Sequence, residues 1–190
     1  MADGDRRLRA DAERSIRSIL EAAERILSDD PNATMEQIAE AAGVARTTIH
    51  RRFANRDALV RSMADAAWQQ VREAVEQARP DTAPPLVALH QATANILRIK
   101  SGWPFAMGQL AVAPTTAQAQ ADVFAACDRV LVRAQQVGII RADADLTWTR
   151  RVYIALISET AHGAPRTTDD DPDRLAARII DTLLHGVSGR

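Results

Sequence analysis

The chain has 190 residues, a formal net charge of −1 at pH 7, 46% hydrophobic residues and 26% charged ones. That length allows one or two small domains with a real hydrophobic core, and the balanced charge gives no general argument for a nucleic-acid partner, so any such role must rest on local clustering. Cys127 is the only cysteine, which excludes an internal disulfide and a zinc site built on several thiolates; with no secretory leader and no apolar run long enough to span a bilayer, the expected compartment is the cytoplasm and no membrane partner is expected.

Met1 to Asp11 is polar and mixed in charge, and is expected to be mobile at its tip. Arg6, Arg7 and Arg9 fit either a basic arm tracking a phosphate backbone or a solvated tail. From about Ala12 to Ser28, Ile16, Ile19, Leu20, Ala23, Ile26 and Leu27 recur at the spacing of an amphipathic helix. Asp29-Asp30-Pro31-Asn32 ends it.

Thr34 to Phe53, TMEQIAEAAGVARTTIHRRF, reads as two short helices joined by a tight turn. Thr34 and Gln37 form a Thr-x-x-Gln capping box. Ile38, Ala41 and Ala42 give the first helix an apolar face, and Gly43 stands where the turn needs a residue tolerant of positive φ. Val44 and Ile49 can pack back on Ile38 and the small Ala39. This is the helix-turn-helix pattern. The outward positions of the second helix are Arg46, Thr47, Thr48, His50 and Arg51, followed by Arg52. From Arg46 to Arg61 every charge but that of Asp57 is positive. Arg and Thr read base edges, and Arg, Thr and His donate to phosphates. The plainer reading is a helical hairpin with a solvated basic face.

Ala-Asn-Arg-Asp-Ala-Leu follows at once, with Asn55 as a cap and Arg56 opening the next helix. The run TMEQIAEAAGVARTTIHRRFANRDALV resembles the DNA-binding head of the TetR/AcrR family of bacterial one-component transcriptional regulators, and the resemblance is strong over residues 12 to 61. Two positions depart from it. Ala45 stands where the family usually has Ser or Thr, so the second helix lacks its usual cap, a loss of ~1 kcal/mol. His50 stands where the family most often has Tyr.

A helix from near Asn55 continues without Gly or Pro through Leu59, Met63, Ala67, Trp68, Val71 and Val75 to about Ala78. Pro80 to Pro85 reads as a linker. Further helices are expected over Pro85 to Lys100, Phe105 to Leu110, Thr115 to Val137, Asp145 to about His162 and Pro172 to about Val187. Gly138 to Asp145, GIIRADAD, resembles a connector common before the penultimate helix in the family, and Gly163 to Asp171 is a polar loop. Leu175, Ile179, Leu183 and Val187 recur every four residues, with Ile180 and Leu184 widening the stripe. Its partner is either this subunit's own core or the same helix pair of a second subunit, and the resemblance implies the second.

Trp103, Phe105, Met107, Leu110, Phe124, Cys127, Trp148 and Tyr153 are the large or soft groups of the second half. They fit an apolar effector pocket between helices or plain core. Cys127 reads as a buried small hydrophobe rather than a redox sensor. His90 or Glu159 would supply a polar contact to a ligand, or each is a partly exposed helix residue. No catalytic residue and no metal site is expected: there is no Gly-x-Ser-x-Gly elbow, phosphate loop or dinucleotide fingerprint. The histidines lack His-x-x-x-His spacing. Asp169-Asp170-Asp171 before Pro172 is explained by a capped helix start.

The resemblance therefore implies an all-α protein. A DNA-binding domain over 1–54, a three-helix head with a helix-turn-helix, is joined through a connecting helix over 55–78 to an effector-binding and dimerisation domain over 55–190. It implies a homodimer that binds double-stranded palindromic operator DNA, answers an unidentified small-molecule effector, needs no cofactor and is no enzyme. Its DNA contacts are expected from Thr34, Gln37, Ala45, Arg46, Thr47, Thr48, His50, Arg51 and Arg56. The rival reading is a ligand-binding or protein-interaction module whose head no longer binds DNA.

Overall fold

The computed structural model describes residues 2–108, 114–162 and 171–187, with side chains described from Arg14 onward except at positions 114, 115 and 162. Among these residues every regular element is a helix: α1 (Ala2–Asp29), α2 (Met35–Ala41), α3 (Arg46–Arg52), α4 (Arg56–Gln77), α5 (Pro85–Gly102), α6 (Pro104–Gly108), α7 (Pro114–Gln136), α8 (Leu146–His162) and α9 (Pro172–His185). The expected all-α class is thus what forms. The first helix is longer than expected: it starts at Ala2 rather than near Ala12. Six of the ten residues from Ala2 to Asp11 are Ala, Arg or Leu, which favour helix, and the single Gly4 costs only about 1 kcal/mol.

The chain divides into two compact units. The first comprises the chain up to Ala66 together with α6; the second comprises Ala67 to Gly102 and the described residues from Pro114 on. The division falls inside α4, whereas the sequence reading began the second domain at residue 55. Leu59 and Met63 on the first half of α4 are fully buried, so those turns belong to the first unit by packing.

In the first unit the core consists of Ile19, Ala23 and Leu27 of α1, Ile38 and Ala39 of α2, Ile49 and Phe53 around α3, and Leu59 and Met63 of α4. Local polar chemistry fixes the order of these elements. The Thr34 hydroxyl accepts the Gln37 amide at 3.2 Å while the Gln37 side chain accepts the Thr34 amide at 2.7 Å, completing the capping box. Gly43 adopts φ of +67°, which lets the Val44 amide reach back to the Ala39 carbonyl at 3.0 Å. A side chain there would be strained. Ser18 of α1 donates to the Ala42 carbonyl at 3.2 Å, pinning the end of α2. Asn55 accepts the Ala58 amide at 2.8 Å and so starts α4.

The second unit buries Ala88, Leu89 and Leu97 of α5, Val130, Leu131 and Ala134 of α7, Tyr153 and Ile157 of α8 and Ile179 and Ile180 of α9 in one cluster. Arg133 holds the α4–α5 turn by donating to the carbonyls of Pro80 and Ala83, at 2.6 and 2.8 Å. The connector after α7 turns at Gly138, φ +78°, and Gln135 donates to the carbonyls of Arg141, Ala142 and Ala144 beneath it. Asp145 caps α8 through the amides of Thr147 and Trp148.

Candidate nucleic-acid interface

α3 is seven residues long, and one of them anchors it. Ile49 has 0% exposure, while Arg46, Thr47, His50, Arg51 and Arg52 are exposed and Thr48 is half-buried. The helix therefore lies on the head through one apolar contact line and turns its polar face outward. The three basic groups of its last turn, His50, Arg51 and Arg52, suit the negative end of the helix dipole. Ala45 takes the extended conformation of an N-cap, φ −65° and ψ 146°, but contributes no side-chain bond.

The nine residues expected to contact DNA differ in what they touch. Thr34 and Gln37 are exposed but joined to each other in the capping box; with its oxygen accepting from Gln37, the Thr34 hydroxyl retains its own proton to donate. Arg46, Thr47, Thr48, His50 and Arg51 share the outward side of α3, which Ala45 opens. Arg56 differs: its guanidinium donates to the Pro31 carbonyl, and its Nε is buried without a partner among the described residues. Expected as a phosphate clamp, it is half-buried and also ties the α1–α2 turn to the start of α4.

The sequence reading missed Glu36. This α2 carboxylate lies 2.9 Å from Arg46 Nη2 and 3.5 Å from His50 Nε2. Its carboxyl is held below the usual carboxylate range, first by its own backbone amide and then by the His50 side chain, with Arg46 adding to the effect. Only the crossing of α2 over α3 brings these groups together, which no spacing within either helix reveals.

Glu24 is the second missed group. It is 4% exposed and accepts the amides of Phe105 and Ala106 at 2.6 and 3.0 Å and the Ser28 hydroxyl at 3.2 Å. α6 is thereby tied to α1 inside the first unit. Trp103, Phe105 and Met107, expected in an effector pocket, belong to this unit instead.

The second unit contains an apolar cavity of about 60 Å³, lined by residues that include Val75, Ala92, Ile96, Phe124, Cys127 and Tyr153. Of the eight residues expected in a pocket, Phe124, Cys127 and Tyr153 meet there. Trp148 is 62% exposed and lines none of it; Leu110 lies outside the described residues. Phe124 stacks edge-on against Trp68, centroids 6.5 Å apart, and carries the Arg150 guanidinium 5.4 Å from its ring centroid. The Tyr153 hydroxyl is 2.6 Å from the Thr93 hydroxyl, which donates to the Leu89 carbonyl at 2.6 Å. Burial raises the Tyr153 phenol and pushes the Cys127 thiol up to about 12, the Asp128 charge adding to the latter. A thiol held protonated is inert. His90 is bonded to the Asp173 carbonyl at 3.2 Å and Glu159 is exposed; neither lines the cavity.

Leu175, Ile179 and Leu183, expected at a subunit interface, pack on the second unit's own core, Ile179 within it and the other two at its margin. Val187 is 92% exposed and lies past the end of α9, because Gly186 takes φ of +71° and stops the helix at His185. No described helix is long and apolar enough to cross a membrane.

The family model for bacterial regulatory proteins of the tetR family matches residues 19–63. Over 85 residues the chain is 39% identical to the HTH-type transcriptional repressor LfrR of Mycolicibacterium smegmatis, a match spanning 45% of each chain. It is 28% identical over 164 residues to the HTH-type transcriptional regulator NfxB of Pseudomonas aeruginosa, covering 84% of this chain and 87% of that one. In structure it resembles LfrR solved in complex with proflavine, with a TM-score of 0.67, 26% identity and coverage of 94% of this chain and 99% of the other. It also resembles PfmR of Thermus thermophilus in fold, with a TM-score of 0.75 at 19% identity over 90% of this chain and 99% of PfmR.

Proposed function

We propose that the chain belongs to the TetR family of bacterial regulatory proteins and is a cytoplasmic, sequence-specific DNA-binding transcriptional regulator, a repressor released by a small-molecule effector. The observation that carries this is α3, which exposes Arg46, Thr47, His50 and Arg51 while Ile49 alone fixes it to the head. Such a helix fits the major groove, where Arg and Thr read base edges and His and Arg reach phosphates. Arg46 and Thr47, at its start, read bases. Thr34, His50 and Arg51 contact phosphates, and Arg56 acts by bracing.

Two copies would bind together, their heads in successive major grooves of a palindromic site ~34 Å apart. The first unit, which extends to Ala66, carries the DNA-reading domain, and the second binds effector and second subunit. The apolar cavity supports a site for a ligand with an apolar body. A volume of about 60 Å³ is well under the roughly 150 Å³ of an apolar cavity that admits benzene, so a ring-sized ligand must part its walls. Val75 lines that cavity and belongs to α4, whose first turns form part of the head, so the displacement has a covalent route to α3. The expected coupling is about 1–3 kcal/mol between ligand and DNA.

The test is selection of preferred sites from a random duplex library, followed by titration of wild type and Arg46→Ala. Enrichment of a palindrome, with the variant losing about 1–3 kcal/mol of discrimination, supports the function. Failure to enrich any sequence supports the rival module with an inactive head, a reading for which the uncapped Ala45 speaks.

A further inference from the structure

Arg46 and His50 both face Glu36 across the α2–α3 turn, the only carboxylate to which either is paired among the described residues. Arg46 is 73% exposed and Glu36 43%, so as a contribution to stability the pair is minor; exposed ion pairs contribute on the order of 0–1 kcal/mol. Its place is what matters. A carboxylate on a surface that meets a polyanion opposes every phosphate approaching it, whatever support it also gives as the acidic residue in the first turn of α2.

We infer that Glu36 is a specificity-determining residue of the DNA-reading surface, holding Arg46 in position to read a base edge and opposing its use as a contact to the phosphates of any sequence. The inference rests on the DNA-reading function proposed above.

An arginine divides its donors between base edges and phosphates. A long, unrestrained guanidinium at the edge of a recognition helix reaches the nearest phosphate, a contact that carries no sequence information. Glu36 engages one Nη of Arg46 at 2.9 Å and leaves the rest of the planar fork available in one orientation, the form needed for a bidentate contact to a base. Swinging to a phosphate breaks the pair and brings a phosphate towards the carboxylate. Reading a base from the held position does neither. The penalty therefore falls on random DNA and spares the preferred site. His50, 3.5 Å from the same oxygen, lies one turn further along α3 and is held on the same side.

The experiment uses the full chain, the site selected from a random duplex library, and a random-sequence duplex of equal length. Affinities of wild type, Glu36→Gln, Arg46→Ala and the double variant are measured by fluorescence anisotropy across a salt series. Gln keeps the size of Glu at an exposed position and removes only the charge. Glu36→Gln should tighten binding to random DNA about three- to tenfold at ~100 mM salt while binding to the selected site changes less than about twofold. The slope of log affinity against log salt on random DNA should steepen by about 0.9, one further phosphate neutralised. In the Arg46→Ala background the loss of selectivity should disappear. If Glu36→Gln changes both DNAs by one factor with parallel salt slopes, or acts undiminished without Arg46, the Glu36 role is overturned while the DNA-reading function stands. A wild type that binds selected and random DNA alike overturns both.

Discussion

Removing the Glu24 carboxylate tests how α6 is fastened to the head. Glu24→Ala deletes the acceptor for the amides of Phe105 and Ala106, now held at 2.6 and 3.0 Å. Leaving a buried amide unpaired costs about 1–3 kcal/mol. Against this, the variant is relieved of burying a charge. The Glu24 carboxyl is raised above its ordinary 4.5 because burial outweighs the opposing pull of the Ala106 and Phe105 amides and the Ser28 hydroxyl. The net loss is about 3 kcal/mol, which in a chain of this length lowers Tm by about 6–12 °C. The assay is thermal unfolding at neutral pH combined with amide hydrogen exchange at Phe105 and Ala106. Unchanged exchange at those two amides, with a Tm drop under about 2 °C, would refute the reasoning. A raised carboxyl also sets the sign with pH: the contribution of Glu24 is fully present below pH 4.5 and is lost as pH rises through the folded-state value. Glu24→Gln has no such dependence, so its stability should gain on wild type as pH climbs from 4.5 towards neutrality; a gap that is flat over that range would contradict the assignment.

Three further substitutions address the reading head and the cavity. Thr34→Ala breaks the reciprocal bonds with Gln37 and should cost about 1 kcal/mol, a Tm decrease of about 2–4 °C by calorimetry; no decrease would show that the box contributes nothing. Ala45→Ser places a capping oxygen at a residue already in N-cap conformation, and should raise Tm by about 2–4 °C, with weaker DNA binding as the sign that the uncapped turn serves recognition. Ala92→Leu fills part of the 60 Å³ cavity. It should abolish the Tm increase given by a saturating neutral aromatic probe such as 1-naphthol while leaving affinity for the selected DNA site within about twofold, whereas an undiminished increase would place the ligand elsewhere.

Much of the head was legible because its signals are local. The Thr34–Gln37 box, the Asn55 cap and the positive φ of Gly43 each depend on residues within a few positions of one another, and each forms as the sequence indicates. The repeat of Ile19, Ala23 and Leu27 likewise marks a buried stripe that the structure buries. What escaped was chemistry made by packing between elements distant in sequence. A glutamate reads as solvated by default, yet Glu24 is enclosed by a segment some eighty residues away, and that docking draws Trp103, Phe105 and Met107 into the first unit. Arg56 reads as a phosphate contact because it is basic and adjacent to the motif, while its bond to the Pro31 carbonyl, twenty-five residues back, leaves no trace in the local pattern. Periodicity carried Val187 into α9, whereas the backbone of Gly186 ends the helix two residues earlier.

The central claim is that α3 reads DNA sequence. It is tested most directly by comparing the affinity of the wild-type chain for its selected site and for random duplex at physiological salt. The account predicts a preference of at least ~10³-fold, within the range of specific DNA-binding proteins, with two chains per palindromic site. Equal affinity for the two duplexes, or a single chain bound with no preference, would contradict it.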